Sequence, residues 1–214
     1  MESKKGIIGL IVFFIILILV LLVGYIGYLF VVSGSNNEQI RRISAVTKNP
    51  LDLIKNRNSL INLNNISGNY TNNSNFGLNS SYNETEVIKQ GVREFNESYV
   101  DYILYAIGAD GLHWAIGFGN PFIETVLGDE TYISEIVNDV PVSKKENSSE
   151  EDIRIIISKE EAVKSLLAPD LTIFMQNSFK NGNTNIEMVA GNTELFAKGY
   201  LGLYKDLTGN ESVT

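Results

Sequence analysis

Ile153–Leu167 reads IRIIISKEEAVKSLL. Ile153, Ile155, Ile156 and Ile157 form a β-branched run of the length and bulk expected of a buried strand. Ser158 follows, with Glu161 three residues on, the capping-box pattern that opens a helix. The apolar face of that helix is Ala162, Val163, Leu166 and Leu167, and Pro169 marks its end. A strand passing into a helix through one capping residue sets the reading of the rest of the chain.

Upstream, Ile88, Val92, Phe95, Tyr99, Tyr102/Ile103 and Ala106 recur at helical spacing, and Gly108 and Gly111 end that helix. Leu112, Trp114, Ile116 and Phe118 then alternate with His113, Ala115 and Gly117, which predicts a half-buried strand. Phe122–Leu127, a Gly128-Asp129 turn and Thr131–Val137 read as a hairpin. Lys144–Glu151 (KKENSSEE) reads as a solvated loop. Downstream, Leu171–Phe179 presents Leu171, Phe174, Met175 and Phe179 on one helical face. Asn181-Gly182-Asn183 then turns the chain into an Asn185–Ala190 strand, and Thr193–Lys198 leads to the terminal Gly199–Leu207. Strands come first and helices cluster later. The expected fold class over residues 84–214 is therefore α+β: a mainly antiparallel sheet of about five strands, covered by helices on one face.

The N-terminal part reads differently. After the short basic segment 1–5, Gly6–Val32 runs for 27 residues without a charged or amide side chain. As a helix it would reach about 40 Å, against ~30 Å of bilayer hydrocarbon. The expectation is a single-pass signal anchor at 6–32 and an Asn/Ser-rich stalk at 33–83, within which Leu51–Ile54 starts a short helix and 56–83 is flexible. Eight Asn-x-Ser/Thr triplets occur, at Asn65, Asn69, Asn72, Asn79, Asn83, Asn96, Asn147 and Asn210. As glycosylation candidates they favour an extracytoplasmic C-terminal domain tethered to a cell membrane. A competing reading starts from Lys4-Lys5-Gly6-Ile7, which resembles the processing site of type IV pilin-like subunits, cut after Gly6. The Glu common at the fifth position of the processed helix is replaced here by Ile11.

Charge and composition exclude several functions. The chain carries 17 Lys+Arg against 25 Asp+Glu, a net charge of −8, and so lacks the basic footprint of a nucleic-acid binder. Zero cysteines remove disulfides, thiolate catalysis and zinc-thiolate sites together. His113, the single histidine, stands near Asp110 but has no second histidine for a metal site and no Gly-x-Ser-x-Gly elbow to serve. Glu146, Glu150, Glu151 and Asp152 lack EF-hand spacing and read as a solvated acidic loop. Gly117-x-Gly119-Asn120-Pro121 reads as a turn and not as a dinucleotide loop. No catalytic residue, metal or cofactor is expected, and no enzyme.

The last third has a further pattern: Leu195-x-x-Lys198-Gly199-x-Leu201-Gly202-Leu203-x-x-x-Leu207. With the element order, this segment resembles the closing part of the sterol carrier protein (sterol-binding) domain family, where a strand ending in Lys-Gly precedes a short apolar-faced helix. The Ile153–Ser158 strand and the helix after it sit where that family places its last meander strand and following helix. The segment Asp170–Asn192 departs from the pattern by over a dozen added residues. The resemblance implies a non-enzymatic apolar tunnel between sheet and C-terminal helices that shields a lipid or other apolar ligand. Phe174, Met175, Phe179 and Met188 would line it, with Trp114, Ile116 and Leu203 as further candidates. Taken singly, each is better explained as plain core, and only a void between them would make them a site. Alternative functions are a cell-surface structural or interaction module and the pilin-like filament subunit. Beyond the membrane and an apolar ligand, no partner is read from these residues.

Overall fold

A computed structural model describes Leu21 and residues 43–66, 82–147 and 149–209. The chain divides into two compact units, residues 1–43 and 44–214. The second unit contains seven named helices and five strands among its described residues. In chain order they are α1 (Leu51–Ile66), α2 (Glu84–Arg93), α3 (Glu97–Ala106), a 3-10 turn (Ala109–Gly111), β1 (Phe122–Leu127), β2 (Glu130–Val137) and β3 (Val140–Lys144). They continue with β4 (Ile153–Ile157), α4 (Lys159–Ser165), α5 (Leu171–Lys180), β5 (Thr184–Met188), α6 (Asn192–Ala197) and α7 (Tyr200–Thr208).

One sheet runs in the order β3-β2-β1-β4-β5. Only the central pair, β1 with β4, is parallel; the other three pairings are antiparallel. Strand alternation divides the sheet into two faces. Ile123 and Leu127 of β1, Tyr132 and Ile136 of β2, and Ile153, Ile155 and Ile157 of β4 enter one core with the helices. The opposite face carries an ion-pair cluster in which Arg154 is bonded to Glu124, Glu151 and Glu187. The fold is mixed α+β.

The expected anchor requires correction. Among the described residues no helix is long and apolar enough to cross a membrane. The physical reason is length and charge. The longest described helix, α1, has 16 residues, about 24 Å at the helical rise and short of the ~30 Å hydrocarbon layer, and it carries Asp52, Lys55 and Arg57. The segment read as the anchor, 6–32, lies outside the described residues apart from Leu21, and so does the Gly6 processing site.

Three local readings also change. The helix expected from Ile88 to Ala106 is two helices, because Asn96 breaks the run and caps α3, its Oδ1 accepting from Ser98 N at 3.0 Å. The strand expected at 112–118 is a loop closed by a bridge between Ala115 and Gly119. Gly117 and Gly119 stand at φ +86° and +78°, which a strand excludes. The fifth strand is instead β3, reached through an Asn138-Asp139 turn in which both residues have positive φ. α1 begins at Leu51, where the sequence starts a short helix, but it runs on to Ile66, and its Leu51 and Ile54 are fully buried in the domain core.

The Ile153–Leu167 stretch forms β4 and α4. Ser158 Oγ accepts from Glu161 N at 3.1 Å, one half of the capping box. The Glu161 carboxylate turns to a different task, accepting from Ser178 Oγ at 2.8 Å and from Asn183 Nδ2 at 3.3 Å. It thereby ties α4 to the end of α5.

Candidate functional site

Between the helices and the central strands lies a cavity. α3 supplies one wall: its cap at Asn96 sets the helix so that Val100, Ile103 and Leu104 face the sheet, continued by Ile107. Thr125 and Leu127 of β1 and Ile155 and Ile157 of β4 supply the floor. Phe95 closes one side, its ring 4.9 Å from Tyr99 and 6.1 Å, edge-on, from Tyr132. Ala162 of α4 and Met175 of α5 complete the lining. The free space, measured at the centre of a water-sized sphere, is about 20 Å³. One water needs roughly 10–15 Å³ by the same measure, so the space is little more than water-sized.

One residue of the lining is polar. Thr125 is 6% exposed, and its Oγ1 has no hydrogen-bond partner. It sits mid-strand, in register with Tyr132 on one side and Ile155 on the other.

A second feature is a buried polar network at the end of the sheet where β1 and β4 begin. Lys198 Nζ donates to Asp152 Oδ1 at 2.7 Å and to Glu194 Oε1 at 2.8 Å. Asp152 Oδ2 accepts from Phe122 N at 2.7 Å and from Tyr200 OH at 2.9 Å. The Asp152 backbone carbonyl accepts from Val189 N and Ala190 N, which joins the end of β5 to the same point. Burial pushes the Asp152 carboxyl above its ordinary range, with Lys198, Phe122 N–H and Tyr200 OH opposing. Burial, then the Asp152 charge, likewise raises the Tyr200 phenol. Glu194 is held low by its bond from Lys198. Each of these groups faces a partner within the network, so its chemistry is that of a structural lock. Gly199 makes the geometry feasible: at φ +90° it carries the chain from α6 into α7, and a Cβ there would lie 3.3 Å from Gly111 O and His113 Cε1.

The residues singled out in the sequence fall in different places. Met175, 1% exposed, lines the cavity. Phe174, Phe179 and Met188 are partly buried against the core, and Leu203 is buried within it. Trp114 and Ile116 are 58% and 85% exposed on the 112–118 loop. In the closing motif, Leu195, Leu203 and Leu207 are core, Gly202 is exposed, and Lys198-Gly199 forms the network and its turn. His113 is exposed, with Nδ1 3.4 Å from Gly111 O. Glu151 and Asp152, read as part of a solvated loop, are buried. Among the described residues no group of three metal-ligating side chains is placed to hold a metal ion.

Of the glycosylation candidates, Asn83 and Asn96 are exposed helix caps and Asn147 is exposed in the β3–β4 loop. Asn65 falls in α1, while Asn69, Asn72, Asn79 and Asn210 lie outside the described residues.

Sequence reasoning missed Thr125, the Lys198–Asp152 pair and the Arg154 cluster. For the pair a signal existed: an acidic residue immediately before a buried strand and a lysine immediately before a glycine.

No family model and no curated protein matches this chain. Among solved structures it is similar to UbiJ-SCP2 ubiquinone synthesis protein, at 13% identity and a TM-score of 0.30, over 62% of this chain and 100% of that one. It is also similar to the stereoselective inverting sec-alkylsulfatase Pisa1 from Pseudomonas sp., at 13% identity and TM-score 0.30, over 52% of this chain and 16% of that one. A double mutant of that sulfatase matches at 15% identity and TM-score 0.31, over 57% and 18%. The chain thus spans less than a fifth of the sulfatase chains. No family model meets the resemblance to the sterol carrier protein family.

Proposed function

We propose that the domain binds an apolar molecule, without catalysis, in the cavity between α3, α5 and the central strands. The observation that carries this reading is an unfilled apolar volume at the centre of the core. Protein interiors are ordinarily packed as densely as organic crystals, and voids lined by aliphatic and aromatic groups stay dry and take up apolar guests.

A guest larger than a few carbons requires one wall to move, and α5 is that wall. Met175 is its unbranched, adaptable contact with the cavity. Two of its other ties to the domain are polar bonds at part-buried or exposed positions: Thr172 Oγ1 to Ala106 O at 3.3 Å and Gln176 Nε2 to Asp206 O at 2.6 Å. Such bonds can be exchanged for water as the helix shifts.

Filling the cavity tests the reading. Ala162→Leu adds branched bulk to the lining. In the full chain, fluorescence displacement with an alkyl-chain probe is expected to lose binding in this variant while cooperative unfolding persists. Equal binding by wild type and Ala162→Leu would place the ligand elsewhere.

A second reading, a protein-interaction module, draws on the exposed Trp114 and Ile116. Trp114→Ala would leave probe binding unchanged and abolish partner association under that reading.

A further inference from the structure

We infer that the cavity's guest is a neutral molecule carrying one hydrogen-bonding oxygen, an alcohol or a ketone or ester carbonyl, placed against the Thr125 hydroxyl. This rests on the reading of the cavity as a binding site. A hydroxyl taken out of water without a partner is costly, and most buried side-chain polar atoms in folded proteins are satisfied. Thr125 lines the cavity, and its Oγ1 is such an atom, buried on a central strand and without a partner. Water is a poor substitute there. A buried water normally makes about three hydrogen bonds, and the remaining side chains of the lining are apolar.

Charge narrows the class further. No cationic side chain lines the cavity. Nearby lysines are engaged: Lys159 with Glu130 at 2.7 Å, and Lys198 with Asp152 and Glu194. A carboxylate or phosphate would enter without a counter-charge, at a large desolvation cost. A threonine hydroxyl can donate to a carbonyl oxygen or accept from an alcohol, so either neutral head fits, with the apolar body against Ile103, Leu104 and Met175.

The test compares 1-octanol, n-octane and octanoate binding to the full-length wild type, Thr125→Val and Thr125→Ser. Valine keeps the shape and removes the hydroxyl; serine keeps the hydroxyl. Expected is about tenfold weaker 1-octanol binding by Thr125→Val, unchanged n-octane binding, and a preference retained by Thr125→Ser. Octanoate is expected to bind wild type more weakly than 1-octanol. The ligand-free Thr125→Val variant is expected to melt higher than wild type, since it sheds an unpartnered hydroxyl. An unchanged ratio of octanol to octane binding in Thr125→Val, or octanoate binding as tight as octanol, overturns this inference while leaving the binding site standing. Binding of none of the three probes overturns the site itself and this inference with it.

Discussion

Lys198 Nζ lies 2.7 Å from Asp152 Oδ1, and both side chains are 2% exposed. Two opposite charges removed from water hold each other, and the second oxygen of Asp152 is bonded to Phe122 N and Tyr200 OH. The pair joins the starts of β1 and β4 to the junction of α6 and α7.

Removing one partner should therefore cost more than removing both. Lys198→Met leaves the Asp152 charge buried and uncompensated, an expected loss of about 3–5 kcal/mol. Lys198→Met combined with Asp152→Asn is expected to cost less than the single variant. Urea denaturation of the wild type, the Lys198→Met and Asp152→Asn single variants and the double variant would measure the difference, and losses that simply add would contradict the lock.

The same variant has a signed pH dependence. Burial already raises the Asp152 carboxyl in the wild type, and loss of Lys198 removes its chief opposing influence. A group whose folded pKa exceeds its unfolded value holds protons more tightly when folded, so its contribution weakens as pH rises through the folded pKa. The gap between Lys198→Met and wild type is expected to narrow as pH falls from 8 to 5. A gap that widens over this range would contradict the assignment.

Glu130 has the opposite sign. Hydrogen bonds from Lys159 at 2.7 Å and Lys145 at 3.0 Å, with Tyr132, hold its carboxyl down at about 2. Its contribution is present above the unfolded carboxylate range near pH 4.3 and is lost as pH falls through about 2. Glu130→Gln is expected to lose about 1 kcal/mol at neutral pH, modest because the pairs are partly solvated, and to flatten acid unfolding between those limits.

Gly91 lies where α2 crosses α1 and α4. A Cβ there would come within 2.8 Å of Leu51 Cδ2 and of Val163 Cγ1. Alanine gains up to about 1 kcal/mol of helix propensity over glycine. Both neighbours are fully buried, and Val163 is stiff at χ1, so the crossing must open. Gly91→Ala is expected to lose about 1–3 kcal/mol net, read by thermal or denaturant unfolding.

Met175→Ala enlarges the cavity. The expected cost is about 2–5 kcal/mol in the unliganded protein, with part of it recovered on adding an alkyl-chain ligand. Calorimetric melting with and without the ligand measures both effects.

Much of the fold follows from local chemistry. β4 and α4 are legible because a β-branched run meets a capping serine, and β1–β2 because Gly128-Asp129 separates two apolar runs. β3 escaped notice because Val140-Pro141-Val142 is short and proline argues against a strand; an edge position tolerates it. Trp114, Ile116 and Phe118 imitate a strand by alternation, yet the residues buried there are Leu112 and Ala115. The lock joins positions 46 apart in sequence, beyond the reach of any periodicity. The cavity was illegible for a different reason: a void records how side chains fail to fill a space, and only three-dimensional packing contains that. Thr125 looks in sequence like any strand threonine, and only the absence of a partner for its hydroxyl distinguishes it.

The most direct measurement is native mass spectrometry of the full chain as purified from its expressing cells, beside Ala162→Leu. A neutral, oxygen-containing apolar adduct on the wild type, lost on denaturation and absent from the filled variant, is the predicted result. A bare wild-type mass that stays bare after incubation with 1-octanol would contradict the account.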